Sequence, residues 1–379
     1  MEKDMSGLNQ TEQTLLLEGT LYRYPDIVRL CLRRQDEEGF RGDLWRFLAE
    51  WFNEKNTVEA MTSGSTGAPK AMPLEKSRMR HSAGLTCSFL GLESGESALL
   101  CMPLKYVGSK MLVVRALVAG LNLICVTPSA HPLREGMAIP DFAAMTPMQV
   151  ITSLKEPDEA ARLCRIRNLI IGGGAIDSAL ARQLRDFPFA VWSTYGMTET
   201  LSHIALRRLS GPEASDWYTP FEGIALSSSP ESTLVIDAPR LCPDTLVTKD
   251  IVEFDSHGRF RVLGRKDNVI NSGGVKVQIE AAEEILRPHL DGPFLITSAP
   301  CPEKGEKVVL LTEGDIAPEL LLAASKKVLP RYWAPAHALK VASLPFTGSD
   351  KPDRAAAKNM AETLLFPASL NGKGENSVE

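Results

Sequence analysis

Three short apolar runs in this chain each empty into a glycine-containing loop, and two of these loops also carry hydroxyl residues. Residues 58–61 lead into Thr62-Ser63-Gly64-Ser65-Thr66-Gly67-Ala68-Pro69-Lys70, residues 166–171 into Gly172-Gly173-Gly174-Ala175, and residues 189–193 into Tyr195-Gly196-Met197-Thr198-Glu199. Further strands are predicted at 97–102 and 121–126, and helices at 77–90, 109–119 and 178–185. Strands alternating with helices predict a largely parallel α/β sheet. Open sheets of this kind bind ligands outside the carboxyl ends of their strands, where all three loops fall.

The first loop is the most chemically pointed. Small side chains, free backbone and a terminal cation let it wrap phosphate oxygens with N–H groups, hydroxyls and an ammonium. It is not the GxxxxGK[ST] loop of P-loop ATPases, because Lys70 follows Pro69 and neither Ser nor Thr follows Lys70. Read alone, the same residues also suit a plain surface turn.

The 379 residues suffice for one large domain and a smaller one, and 44% hydrophobic content is ordinary for a packed core. A formal net charge of −5 gives no reason to expect nucleic acid or an anionic membrane as partner. Seven scattered cysteines without CxxC spacing argue for reduced thiols in the cytoplasm and against a zinc site. The N-terminus is polar, without an apolar signal region. The most apolar stretch, 111–126, is broken by Arg115 and Asn122, so no membrane insertion is expected. A homo-oligomer is left open.

Residues 1–56 read as helical, with Asp43 placed to cap a helix over 44–52. After Thr200 the texture turns to short strands at 234–236, 245–248, 251–254 and 259–263, with a turn at Ser256-His257-Gly258, suggesting a small β-rich subdomain over about 210–265. The expected organisation is an N-terminal domain over 1–267 and a compact α+β module over 268–379. Helices are expected at 279–286 and 317–328, with a frayed tail.

Taken together, the motifs resemble the acyl-adenylate-forming superfamily of acyl- and aryl-CoA ligases, luciferases and peptide-synthetase adenylation domains. The resemblance rests on the 62–70 loop, the 172–175 glycine turn and the YGxTE loop at 195–199. Two more segments complete it: Gly264-Arg265-Lys266-Asp267 with Gly273-Gly274, and Pro345-Phe346-Thr347-Gly348-Ser349-Asp350-Lys351 with Arg354. These segments occur in the family's order and span residues 58–354. Residues 195–209 look most like the group that activates o-succinylbenzoate for menaquinone biosynthesis, and residues 101–117 resemble a variant found in part of that group, with Lys105-Tyr106 where most superfamily members have an aromatic and a His. The segment before the signature loop is shorter than usual.

The resemblance implies a large adenylate-forming α/β domain and a small mobile C-terminal domain. It also implies a two-step reaction: acid plus ATP to acyl-AMP, then transfer to CoA. It assigns Thr62, Ser63, Gly64, Ser65, Thr66, Gly67 and Lys70 to the ATP phosphates, and Gly173, Gly174, Ala175, Tyr195 and Gly196 to the adenine side. Thr198 falls to the α-phosphate and Glu199 to Mg²⁺. Asp250 would hold the ribose hydroxyls and Arg265 the ribose or phosphate; Arg265 also reads as a hairpin-end salt bridge. Asp267 is the implied hinge, and Ser272, Gly273 and Gly274 line the implied CoA tunnel. Lys351 would stabilise charge in the first step. On its own residues, Lys351 reads as a loosely held lysine on a glycine- and serine-rich loop, and Thr198 as a turn hydroxyl capping a following helix.

o-Succinylbenzoate is a dianion whose ring carboxylate needs a cation. Lys105, Lys110, His203 and Arg207, with Tyr106 beside them, are the candidates. Two alternatives stay open: another aromatic- or acyl-acid ligase, or a stand-alone adenylating enzyme. A non-catalytic relative that binds AMP or an acyl-adenylate is a further reading.

Overall fold

The computed structural model describes residues 12–61, 71–313, 316–347 and 351–366. It divides into two compact units. One comprises Met1–Ser229, Val235–Thr248 and Phe254–Arg261; the other comprises Pro230–Leu234, Lys249–Glu253 and Val262–Glu379.

The first unit opens with β1 (Thr14–Leu17) and β2 (Thr20–Arg23), then α1 (Tyr24–Arg34), α2 (Gly39–Phe52), and the hairpin of β3 (Thr57–Met61) and β4 (Ala71–Glu75). It continues through α3 (Lys76–Leu90), β5 (Ser97–Leu100), α4 (Val107–Ala119), β6 (Asn122–Cys125), β7 (Phe142–Met145), α5 (Pro147–Lys155) and α6 (Pro157–Leu163). β8 (Asn168–Ile171), α7 (Ser178–Leu184), β9 (Ala190–Gly196), β10 (His203–Arg208) and β11 (Thr219–Pro220) follow.

Nine of these strands form one sheet in the order β11-β10-β9-β8-β7-β5-β6-β1-β2. The stretch from β9 through β1 is parallel, as the strand–helix alternation predicts. Strands buried on both faces read as apolar runs rather than alternating ones, and Phe142–Met145 is buried at every position. Leu163, Leu180 and Leu184 pack on one face of this sheet against Leu169, Ile171 and Val191.

Three expectations are corrected. The stretch before residue 56 is not all helical. β1 and β2 form an antiparallel hairpin turned at Glu18 and Gly19, both at positive φ, and β1 extends the large sheet alongside β6. A left-handed two-residue turn of this kind ties adjacent strands together. Asp43 caps nothing: α2 starts four residues earlier, after Glu38, and Asp43 pairs with Arg46 at 2.5 Å on its surface. The β-rich region expected from about residue 210 starts later, since β11, like β10 before it, is an antiparallel addition to the large sheet.

β12 (Ala225–Ser228), β13 (Thr233–Asp237), β14 (Leu246–Phe254) and β15 (Phe260–Arg265) form a four-stranded sheet. Sequence reading divided β14 into two strands, but it runs unbroken. In the second unit, β16 (Val269–Ser272), β17 (Val275–Gln278), α8 (Ile279–Leu286), β18 (Phe294–Cys301), β19 (Gly305–Thr312), α9 (Pro318–Val328), β20 (His337–Lys340) and α10 (Arg354–Leu365) build a five-stranded sheet with helices. Ile270, Val277, Leu286, Ile296 and Leu310 form one core there; Leu295, Val309 and Leu311 pack with Ala357 and Ala361 of α10 in another.

Candidate active site

Strand order reverses at β5, which has β6 on one side and β7 on the other. Such a reversal opens a crevice at the strand carboxyl ends. The loop leaving β5 carries Lys105 and Tyr106. Tyr106 precedes α4 and bridges Met61, the last described residue before the 62–70 loop. Thr62, Ser63, Gly64, Ser65, Thr66, Gly67 and Lys70 themselves lie outside the described residues. At the end of β8, Gly173 and Ala175 are exposed and Gly174 is half-buried; Asp177 then caps α7 through the Leu180 N–H at 2.8 Å.

β9 runs on through Tyr195 and Gly196. The Tyr195 ring stands edge-on to Phe260, centroids 5.0 Å apart, in a cluster with Tyr218. At Gly196 the returning chain comes so close that a Cβ would lie 2.3 Å from the Ser202 carbonyl oxygen and 2.4 Å from the His203 Cα, so only glycine fits. Between them, Thr198 is half-buried and Glu199 exposed. No helix follows for Thr198 to cap. Its carbonyl accepts the Leu201 N–H at 2.9 Å, and the chain turns straight into β10. The buried Thr200 hydroxyl accepts the Met197 N–H at 3.1 Å and lies 2.7 Å from the Ser202 carbonyl.

The proposed cations for the acid fare unequally. Lys110 is buried and committed: its ammonium donates to the Glu59 carbonyl at 2.5 Å and lies 3.5 Å from the Glu50 carboxylate. His203 is buried against Thr86 at 3.0 Å, and burial together with the Arg115 charge pushes its imidazole well below the ordinary range. It is therefore neutral at pH 7 and supplies no charge. Arg207 stacks over Tyr218 and faces Asp216 at 3.5 Å. Lys105 is exposed, with its ammonium 4.9 Å from the Tyr106 ring centroid.

Sequence reasoning passed over Arg115 as a mere interruption of an apolar stretch. It is 1% exposed in the middle of α4, where it donates to Ser202 Oγ at 2.8 Å. Burial lowers its pKa to about 10. A charge inside an otherwise apolar helical run was the available signal.

In the second unit, Arg265 at the end of β15 donates to Asp250 at 3.0 Å and to both Asp267 oxygens at 2.9 and 3.1 Å. Lys249 reaches Asp267 at 3.3 Å. Burial works against the Asp267 charge, but Arg265 and Lys249 hold its carboxyl below the usual range. Asp267 is thus fastened to the ribose-side candidates Asp250 and Arg265. Gly273 and Gly274, both at positive φ, form the turn between β16 and β17, with Ser272 leading in.

Lys351 is not loosely held. Its carbonyl accepts the Thr347 N–H at 2.7 Å, its own N–H donates to Thr347 Oγ1 at 3.2 Å, and the Asp353 N–H donates to the Pro345 carbonyl at 2.9 Å. Burial and the Arg265 charge lower the Lys351 pKa, opposed by Asp250. Asp350 lies outside the described residues. Just beyond, Arg354 forms a two-pronged ion pair with the buried Glu283 at 2.6 and 2.8 Å.

Among the described residues, no three His, Cys, Asp or Glu side chains gather as a metal site. A single exposed carboxylate such as Glu199 suits Mg²⁺ that arrives with phosphate oxygens and water as its remaining ligands. Among the same residues, no helix is long and apolar enough to cross a membrane.

Comparison with known proteins agrees with this geometry. Residues 57–229 match the AMP-binding enzyme family. The acyl-CoA synthetase (AMP-forming)/AMP-acid ligase II-like protein of Dyadobacter fermentans is 31% identical, with 86% of this chain and 96% of that one aligned at a TM-score of 0.60. A 2-succinylbenzoate–CoA ligase of Bacillus mycoides is 23% identical over 356 residues, covering 84% of this chain and 73% of that protein. The o-succinylbenzoate CoA synthetase of Bacillus subtilis in complex with its acyl-adenylate intermediate superposes at a TM-score of 0.76 over 93% of this chain and 96% of that one, at 16% identity, a likeness of fold. The chain therefore belongs to the acyl-adenylate-forming, AMP-binding enzymes, as an AMP-forming acid–thiol ligase.

Proposed function

We propose that this chain is a cytoplasmic ligase that activates o-succinylbenzoate with MgATP and transfers the acyl group to CoA, a step of menaquinone biosynthesis. In the first step a carboxylate oxygen bonds to the α-phosphorus, the bond to the β-phosphate bridging oxygen breaks, and pyrophosphate leaves. In the second, the CoA sulfur bonds to the acyl carbon, the acyl–oxygen bond breaks, AMP leaves, and the thiol proton passes to solvent. The observation that carries the mechanism is Lys351, half-buried and close enough to Arg265 and Asp250 for both charges to act on its ammonium. A desolvated ammonium there stabilises charge developing between two anions far better than one in water. The 2-succinylbenzoate–CoA ligase relatives support the acid.

Each residue has a role in this reading. The 62–70 loop takes the β- and γ-phosphates, Thr198 the α-phosphate and Glu199 the metal. Asp250 and Arg265 take the ribose, the aromatic edge of Tyr195 and the 173–175 turn take the adenine, and Ser272 to Gly274 border the CoA path. Bound Mg²⁺ would neutralise phosphate charge. Asp267 is the pivot between the two half-reactions.

With Lys110 committed and His203 neutral, Lys105 at the β5 crevice is our choice for the ring carboxylate. An exposed pair contributes up to about 1 kcal/mol and a desolvated one about 2 or more, so Lys105→Met should cost roughly tenfold in kcat/KM for the diacid. It should leave benzoate unaffected. Acyl-AMP formation measured with the diacid and with its ring-carboxylate methyl ester tests this. Equal turnover of acid and ester by the parent would remove the spectator site and the substrate assignment with it.

A further inference from the structure

We infer that Arg115 is a positioning residue that sets the Thr198–Glu199 turn for the first half-reaction. The inference rests on the roles given to Thr198 and Glu199 above.

Arg115 is flanked on α4 by Val113, Val114, Ala116 and Leu117, all buried, and a leucine or methionine there would need no desolvated charge. Among the described residues no carboxylate pairs with its guanidinium, and its Nε has no hydrogen-bond partner. What the guanidinium has instead is Ser202 Oγ at 2.8 Å. A buried cation kept for one neutral hydroxyl points to the hydroxyl's position as the thing that matters.

Ser202 is where the turn carrying Thr198 and Glu199 closes. The turn leaves β9 at Gly196, whose Cα has no room for a side chain against the Ser202 carbonyl. Thr200 ties Met197 to Ser202, and Leu201, 3% exposed, is held at φ +66°. A buried non-glycine residue stays in that region only when its surroundings over-determine it. Two helices supply the grip. α4 reaches Ser202 through Arg115, and α3 reaches His203 through Thr86. His203 Nδ1 lies 3.3 Å from Ser202 Oγ, joining the two contacts. Thr198 and Glu199, four and three residues upstream of Ser202, take their positions from this closure.

The test uses Arg115→Met, Arg115→Lys, Ser202→Ala and the Arg115→Met/Ser202→Ala double variant in the full chain. Four quantities are read: acyl-AMP formation, thioester formation from supplied acyl-AMP, calorimetric binding of a non-reacting ATP analogue with and without Mg²⁺, and the thermal midpoint. Arg115→Met and Ser202→Ala should each slow acyl-AMP formation tenfold or more and weaken analogue binding only when Mg²⁺ is present. The second half-reaction should stay within twofold of the parent. The double variant should be no slower than Arg115→Met, and Arg115→Lys should recover part of the loss. If Arg115→Met does not fold, Ser202→Ala decides alone. Parent rates in Ser202→Ala, or equal losses in both half-reactions, would overturn the inference. Glu199→Gln separates the two failures. If it is slow while Ser202→Ala is normal, only the role of Arg115 falls; if it runs at the parent rate, the Glu199 assignment falls and the inference with it.

Discussion

The ion pair between Arg354 and Glu283 anchors the helix that follows Lys351, and its removal has a calculable consequence. Glu283 is 5% exposed on α8; it receives two guanidinium hydrogen bonds and also accepts the Ile296 N–H of β18 at 2.8 Å. Arg354→Met leaves that carboxylate buried without its counter-charge. Breaking a buried pair from one side costs about 3–5 kcal/mol. The Arg354 side chain retains some solvent access, 21%, which puts the expected loss near the lower end, about 3 kcal/mol. Adding Glu283→Gln removes the charge while keeping a carbonyl oxygen for Ile296, and should recover roughly 2 kcal/mol of it. Hydrogen exchange of peptides covering 279–301 reads this directly. About 3 kcal/mol corresponds to roughly a hundredfold faster exchange in Arg354→Met, falling to within about tenfold in the double variant. Exchange unchanged within threefold in Arg354→Met, or a double variant as loose as the single one, would refute the reasoning.

Two further outcomes follow from the site. Lys351→Ala should slow acyl-AMP formation at least a hundredfold while thioester formation from supplied acyl-AMP stays near the parent rate; single-turnover measurements of each half-reaction check this, and equal losses would assign Lys351 to folding or to a shared step. His203 is neutral when folded because burial depresses its pKa, whereas in the unfolded chain it protonates near pH 6.5, so the unfolded state binds the extra proton as pH falls below that value. Stability is therefore full above about pH 6.5 and lower by roughly 1.4 kcal/mol at pH 5.5, a loss that His203→Gln should abolish in urea unfolding at the two pH values; identical pH slopes in parent and variant would contradict it.

Much of the parallel sheet was legible because its strands are apolar runs bounded by turn residues, as at β5, β6, β8 and β9. The N-terminal hairpin was not. Its leucine-rich residues suit a helix as readily as a strand, and only pairing with β6 decides the matter. β10 was missed because His203, Ile204, Ala205 and Leu206 are all buried, which erases the alternation that marks a one-sided strand. The loop motifs were legible for the same local reason: glycine and hydroxyl spacing is written along the chain. The states of their neighbours are not. Lys110 taken up by Glu59, His203 neutralised by burial, Lys351 fastened through Thr347, and Arg115 reaching Ser202 across 87 positions all depend on contacts between distant segments.

The proposed preference of this AMP-forming ligase is for a diacid. Its most direct measurement is acid-dependent pyrophosphate release from MgATP by the purified chain, with o-succinylbenzoate, benzoate, 4-phenylbutyrate and a fatty acid, each with and without CoA. Pyrophosphate and AMP should form in equal amounts only when CoA is present, with an o-succinylbenzoyl-CoA product by mass and a kcat/KM for the diacid at least tenfold above every monoacid. Equal rates across the panel, or full turnover without CoA, would contradict it.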